Sequence, residues 1–78
     1  MAQIDLQKFK RINKERNTTH EKVYSTYTVF ENDGEKLFQI DTYGRIDREN
    51  PEKVSQSLQL NKETAKALID ILSEEFDF

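Results

Sequence analysis

The chain has 78 residues with 12 Lys and Arg against 15 Asp and Glu, a formal net charge of −3, and 35% hydrophobic residues. This length allows one domain, and the apolar share is below the roughly 45–50% of an average domain, so we expect a small core. The absence of cysteine excludes disulfides, and a total of only two glycines excludes a glycine-rich phosphate loop. No run of apolar residues has the length of a signal peptide or of a membrane span. We therefore expect a cytoplasmic protein.

The N-terminal segment, residues 1–22, is basic. Residues 1–24 hold six bases and three acids, whereas the rest of the chain holds six bases and twelve acids. The spacing of the apolar residues over 4–17, with Asp5 as N-cap, favours a short helix, although part of the same stretch also fits an extra strand. The basic side chains form either a solvated arm or helix face or a contact with nucleic acid or another acidic partner.

A β-hairpin is the next predicted element. Residues 23–30 and 36–43 are rich in β-branched and aromatic side chains, and they flank Asp33-Gly34. This dipeptide is typical of a type I′ turn, which requires positive φ at both central positions. If it forms the two-residue loop, the numbers of paired residues sum to 67.

This register predicts the two faces of the hairpin. We expect one face to be the core face, made of Val23, Tyr27, Val29, Phe38 and Ile40. The other face is mixed: its polar middle pairs Thr28 with Gln39 and Thr26 with Asp41, Phe30 pairs with Leu37 at the turn end, and Tyr24 stacks on Tyr43 at the far end.

Residues 44–53 are expected to form an exposed loop. The alternation of apolar and polar residues over 54–60 predicts a third strand after it. Asn61 is a suitable N-cap for a helix over 62–76. The helix repeats its apolar residues at helical spacing and is expected to cover the core face through Ala65, Leu68, Ile69, Leu72 and Phe76. The predicted fold class is α+β: residues 23–78 form a small antiparallel sheet of three clear strands, or four if the N-terminal segment contributes one, with one amphipathic C-terminal helix packed on one face.

The sequence argues against catalysis. His20 is the sole histidine, so a two-histidine metal site is excluded, and no nucleophile lies near it at a diagnostic spacing. Asp41, Asp47, Glu49 and Glu52 are interpreted as solubility and turn residues rather than acid–base or magnesium-binding groups. We predict a protein that is not an enzyme and that uses no cofactor or metal.

The mixed sheet face is instead typical of a binding surface. Exposed aromatic rings suit stacking with the bases of an unpaired nucleic-acid strand, and nearby cations suit its phosphates. The predicted contact residues are Tyr24, Thr26, Tyr43, Arg45, Arg48 and Lys53. The alternative is that the apolar members of this face pack under the N-terminal segment or in the interface of a homodimer, which the small core favours in any case.

The order of hairpin, polar loop, strand and capped helix over residues 23–76 resembles the positive-cofactor-four family of single-strand DNA-binding transcriptional coactivators. The resemblance rests on residues 38–41, on the 44–53 loop and on residues 54–61 leading into Leu68, Ile69 and Leu72. It implies four antiparallel strands before the helix, dimerisation through the helix, a role in transcription regulation and single-stranded DNA on the sheet. Tyr24, Tyr43, Arg45, Arg48 and Lys53 are the positions it implies as strand contacts.

A second hypothesis is a small acidic inhibitor or adaptor of the phage or mobile-element type that acts on a host protein. The acids that would dock on a basic protein groove lie in the C-terminal half and include Asp70, Glu74, Glu75 and Asp77.

Overall fold

A computed structural model describes residues 1–44 and 53–78. Within them the chain forms four strands, a 3-10 helix and one α-helix. In chain order these are β1 (Ala2–Gln3), the 3-10 helix (Leu6–Lys8), β2 (Ser25–Asn32), β3 (Glu35–Thr42), β4 (Gln56–Leu60) and α1 (Lys62–Phe76). The fold is α+β, as predicted: a mixed, mostly antiparallel four-stranded sheet with one C-terminal helix that contacts it.

The hairpin confirms the predicted turn and register. Asp33 and Gly34 both have positive φ, 52° and 78°, as a type I′ turn requires. The strands pair from Ser25 with Thr42 to Asn32 with Glu35, so every pair sums to 67. Because side chains alternate along each strand, this register also confirms which residues share a face.

The N-terminal segment forms less regular structure than predicted. The sheet order is β1-β4-β3-β2, and the fourth strand is only two residues long and runs parallel to β4. In place of a helix over 4–17 there is a three-residue 3-10 helix, for which Asp5 is the N-cap, accepting a hydrogen bond from the Gln7 amide at 3.0 Å. Residues 13–22 contain no apolar side chain that could hold further helical turns against the domain.

The α-helix has the predicted bounds. The Asn61 side chain accepts a hydrogen bond from the Thr64 amide at 3.0 Å and thereby caps the first turn. Lys66 and Asp70 form an exposed i,i+4 ion pair at 3.2 Å on the solvent side. The helix lies beside β4 and the 3-10 helix.

The prediction that the helix covers the Tyr27, Val29, Phe38 and Ile40 face is wrong at β2, where Tyr27 is 70% and Val29 55% exposed. The helix follows directly from β4, and its main contacts are with that strand and with the 3-10 helix instead of with β2. Ile69 and Phe76, which were expected in the core, are consequently exposed. Among the described residues the buried apolar side chains are Leu37 and Leu60, at 6% and 5% exposure.

Thr64 is the most deeply buried side chain in the described chain, with 0% exposure, and its hydroxyl has no hydrogen-bond partner there. Since an orphaned buried hydroxyl costs its desolvation energy, Thr64→Val is expected to stabilise the protein by about 1 kcal/mol. Urea denaturation followed by circular dichroism measures this change. Thr64→Ser, which keeps the hydroxyl and loses the methyl group, should destabilise it, and a destabilising valine would contradict the prediction.

Candidate functional site

Two tyrosines meet across the open end of the hairpin. The Tyr43 amide donates to the Tyr24 carbonyl at 3.0 Å, which extends the β2–β3 pairing by one position. The ring centroids are 5.2 Å apart, with the planes tilted by 55° instead of stacked in parallel as expected. Tyr24 is 65% exposed, and the Tyr43 hydroxyl lies 3.0 Å from the Thr26 hydroxyl. The sheet therefore holds one partly buried ring in place beside one ring that is free to contact a ligand.

A row of hydrogen-bonded side chains continues from this pair across the sheet. We call it the polar sheet face; the pairings of β3 with β2 and β4 place on it Thr26, Thr28, Gln39, Asp41, Ser57 and Gln59. Gln59 donates to Gln39 at 2.8 Å, and Gln39 donates to both carboxylate oxygens of Asp41 at 3.0 and 3.2 Å. Ser57 donates to Asp41 as well. Internal hydrogen bonds thus hold Gln39, Asp41, Ser57 and Gln59 in fixed positions.

Asp41 gives the polar sheet face a carboxylate at its centre. This side chain is only 9% exposed, and the Gln39 amide and the Ser57 hydroxyl donate to it. A phosphate group would be repelled here, so anionic parts of a ligand belong at the tyrosine end, toward the loop, and the centre suits neutral hydrogen-bonding groups.

Of the three cations predicted for the loop, the structure describes one. Arg45 and Arg48 lie outside the described residues, and Lys53 is exposed shortly before β4. Of the predicted contact residues, the structure therefore brings together Tyr24, Thr26 and Tyr43. Ser57 and Gln59 were not predicted as part of the site. The alternation of residues along β4 indicates that the two side chains lie on the same face of this strand. Only the β3–β4 register shows that this face is the one that carries Gln39 and Asp41.

Among the described residues, the other charged groups point to no second site. His20 is exposed, and the described residues contain no group of three or more His, Cys, Asp or Glu placed to hold a metal ion. At the acidic end of the helix, Glu75 pairs with Arg11 at 2.6 Å, while Asp70 pairs with Lys66. The basic N-terminal segment thus partly neutralises the acids that a protein-docking role would require.

Comparison with protein-family models, with curated proteins and with solved structures finds no match to this chain. No helix of the described residues is long and apolar enough to cross a membrane. The sheet also departs from the four antiparallel strands that the family resemblance implied, since β1 is parallel to β4.

Proposed function

We propose that the protein is a non-enzymatic module that binds single-stranded nucleic acid, with DNA favoured, through the polar sheet face and its tyrosine end. The observation that carries the proposal is the tilted Tyr24–Tyr43 pair, in which an exposed ring is positioned by a partly buried one. A base stacked on such a ring contributes roughly 1–3 kcal/mol and requires no particular sequence.

The rest of the polar sheet face supports an unpaired strand as the ligand. Its amides and hydroxyls are donors and acceptors suited to the exposed edges of splayed bases, which a duplex keeps paired. Arg45, Arg48 and Lys53 follow Tyr43 closely in the sequence, and they are the cations that we expect to bind the phosphates of the strand. A cytoplasmic location and a role in transcription regulation belong to the same proposal.

Fluorescence anisotropy of labelled single-stranded and duplex DNA at two salt concentrations tests this function. We expect micromolar or tighter binding to the single strand, weaker binding to the duplex, and a lower affinity at the higher salt concentration because counterions are released on binding. A matched RNA strand tests the preference for DNA. Absence of binding to every strand would overturn the proposal and favour a protein partner.

The loop arginines give a separate prediction. Replacing Arg45 and Arg48 together by alanine is expected to weaken single-strand binding by a similar factor for different sequences and to reduce the salt dependence, because phosphate contacts carry no sequence information. Titration of three unrelated oligonucleotides at several salt concentrations measures both effects. An unchanged salt slope would contradict a phosphate-binding role for this loop.

A further inference from the structure

The side of the sheet opposite the polar sheet face is apolar and open. We call it the apolar sheet face, and the strand register places on it Tyr27, Val29, Phe38, Ile40 and Leu58. Tyr27 and Phe38 stack with ring centroids 5.3 Å apart. Phe38 and Ile40 are half-buried, while Tyr27, Val29 and Leu58 are exposed. Large apolar patches of this kind on a small protein mark interaction surfaces.

In the described parts of the chain the β4 side of this face is partly covered, since Leu60 pairs with Phe38 there and is 5% exposed, but the β2 side is open. The helix lies beside β4, where the 3-10 helix also contacts it, and Arg11 of the N-terminal segment is paired with Glu75 near the helix end. We propose that a second copy of this chain covers the apolar sheet face, so that the folded unit is a homodimer with its two polar sheet faces directed outward.

The surface area of the chain supports a second copy. The accessible surface is 7460 Å², whereas a compact monomer of this mass exposes about 5,000 Å². The radius of gyration is 14.7 Å, against about 11.5 Å for a compact domain of this length. The excess of about 2,500 Å² includes the exposed residues 9–22, and it leaves room for the roughly 800 Å² that each partner buries in a standard interface.

The charges around the apolar sheet face are self-complementary. Its five residues are uncharged, and at the hairpin end Glu31 lies directly opposite Lys36 on the same face. A two-fold axis can therefore bring Glu31 of one protomer toward Lys36 of its partner without joining like charges. An apolar centre with a polar rim is the usual anatomy of a homodimer interface.

Adjacent residues of β2 provide a matched test. Val29→Glu places a charge in the apolar sheet face, whereas Thr28→Glu places the same charge one residue away on the opposite side of the strand. By sedimentation velocity at micromolar concentration and without nucleic acid, we expect wild type and Thr28→Glu to have twice the 9.3 kDa mass of one chain. Val29→Glu should raise the dimer dissociation constant roughly thirtyfold or more, since it charges the centre of the interface.

A monomeric wild type, or a Val29→Glu variant that dimerises as tightly as wild type, would overturn the proposal. In the second case the edge of β2 would become the surface to examine. If Val29→Glu fails to fold, the midpoint of urea unfolding of the wild type tests the dimer instead. This midpoint rises with protein concentration if the protein is a dimer, and a midpoint that does not change with concentration would contradict the proposal. None of these measurements depends on nucleic-acid binding, so the two proposals succeed or fail separately.

Discussion

Leu60→Ala is expected to remove about half or more of the free energy of unfolding of the protein. Leu60 is 5% exposed, pairs with Phe38 across β3 and β4, and immediately precedes the helix cap. Removing a buried leucine side chain costs about 2–5 kcal/mol. A domain of this length has roughly 4–12 kcal/mol of total stability, and one with so few buried apolar side chains belongs at the low end of that range.

Urea denaturation followed by far-ultraviolet circular dichroism measures this loss. Val54→Ala is the control, because Val54 is an aliphatic residue close by in the chain but 38% exposed and outside β4. We expect the control to lose less than about 1 kcal/mol. Equal losses for the two variants would mean that Leu60 is not a core residue.

The second large effect concerns the exposed ring. Tyr24→Ala is expected to weaken single-strand binding by roughly 5- to 150-fold, because it removes a stacking platform worth about 1–3 kcal/mol. Tyr24 is 65% exposed, so its removal should leave the unfolding midpoint nearly unchanged. Anisotropy titration and urea denaturation of the same preparation separate a binding effect from a folding effect.

Tyr24→Phe is the matched variant for this experiment, since it keeps the ring and removes only the hydroxyl. It should bind within about twofold of the wild type if stacking is the main contribution. Tyr43→Phe removes the contact with the Thr26 hydroxyl at 3.0 Å and should reduce affinity modestly by loosening the ring pair. Full affinity in Tyr24→Ala would exclude this end of the sheet as the binding site.

The elements predicted correctly from the sequence are those with local signals. Asp33-Gly34 determines the hairpin register because few other residues adopt positive φ at both positions of a turn, and Asn61 marks the start of the helix. The sequence allows a fourth strand from the N-terminal segment, but it does not place that strand at Ala2–Gln3 because two residues show no periodicity. The cover of the sheet was predicted incorrectly because it depends on the direction that the helix takes after Leu60, which no local signal determines.

The same distinction applies to the candidate site. The meeting of Tyr24 and Tyr43 follows from the hairpin register and could be predicted. The hydrogen bonds from Ser57 and Gln59 could not, because they depend on how β4 aligns with β3 across the 44–53 loop. That alignment is set by the hydrogen bonds between β3 and β4 and by tertiary packing, and neither has a local signal in the sequence.

The pairing of β1 with β4 has a consequence for the order of folding. Ala2 lies beside Leu58 and Gln3 beside Gln59, so this contact closes a loop that contains most of the chain before the helix, whereas the hairpin closes a two-residue turn. Loop-closure entropy delays contacts between distant residues until nearer ones have formed. The hairpin should therefore form first and the β1–β4 pair last, and the amides of β1 should be among the fastest to exchange with solvent hydrogen.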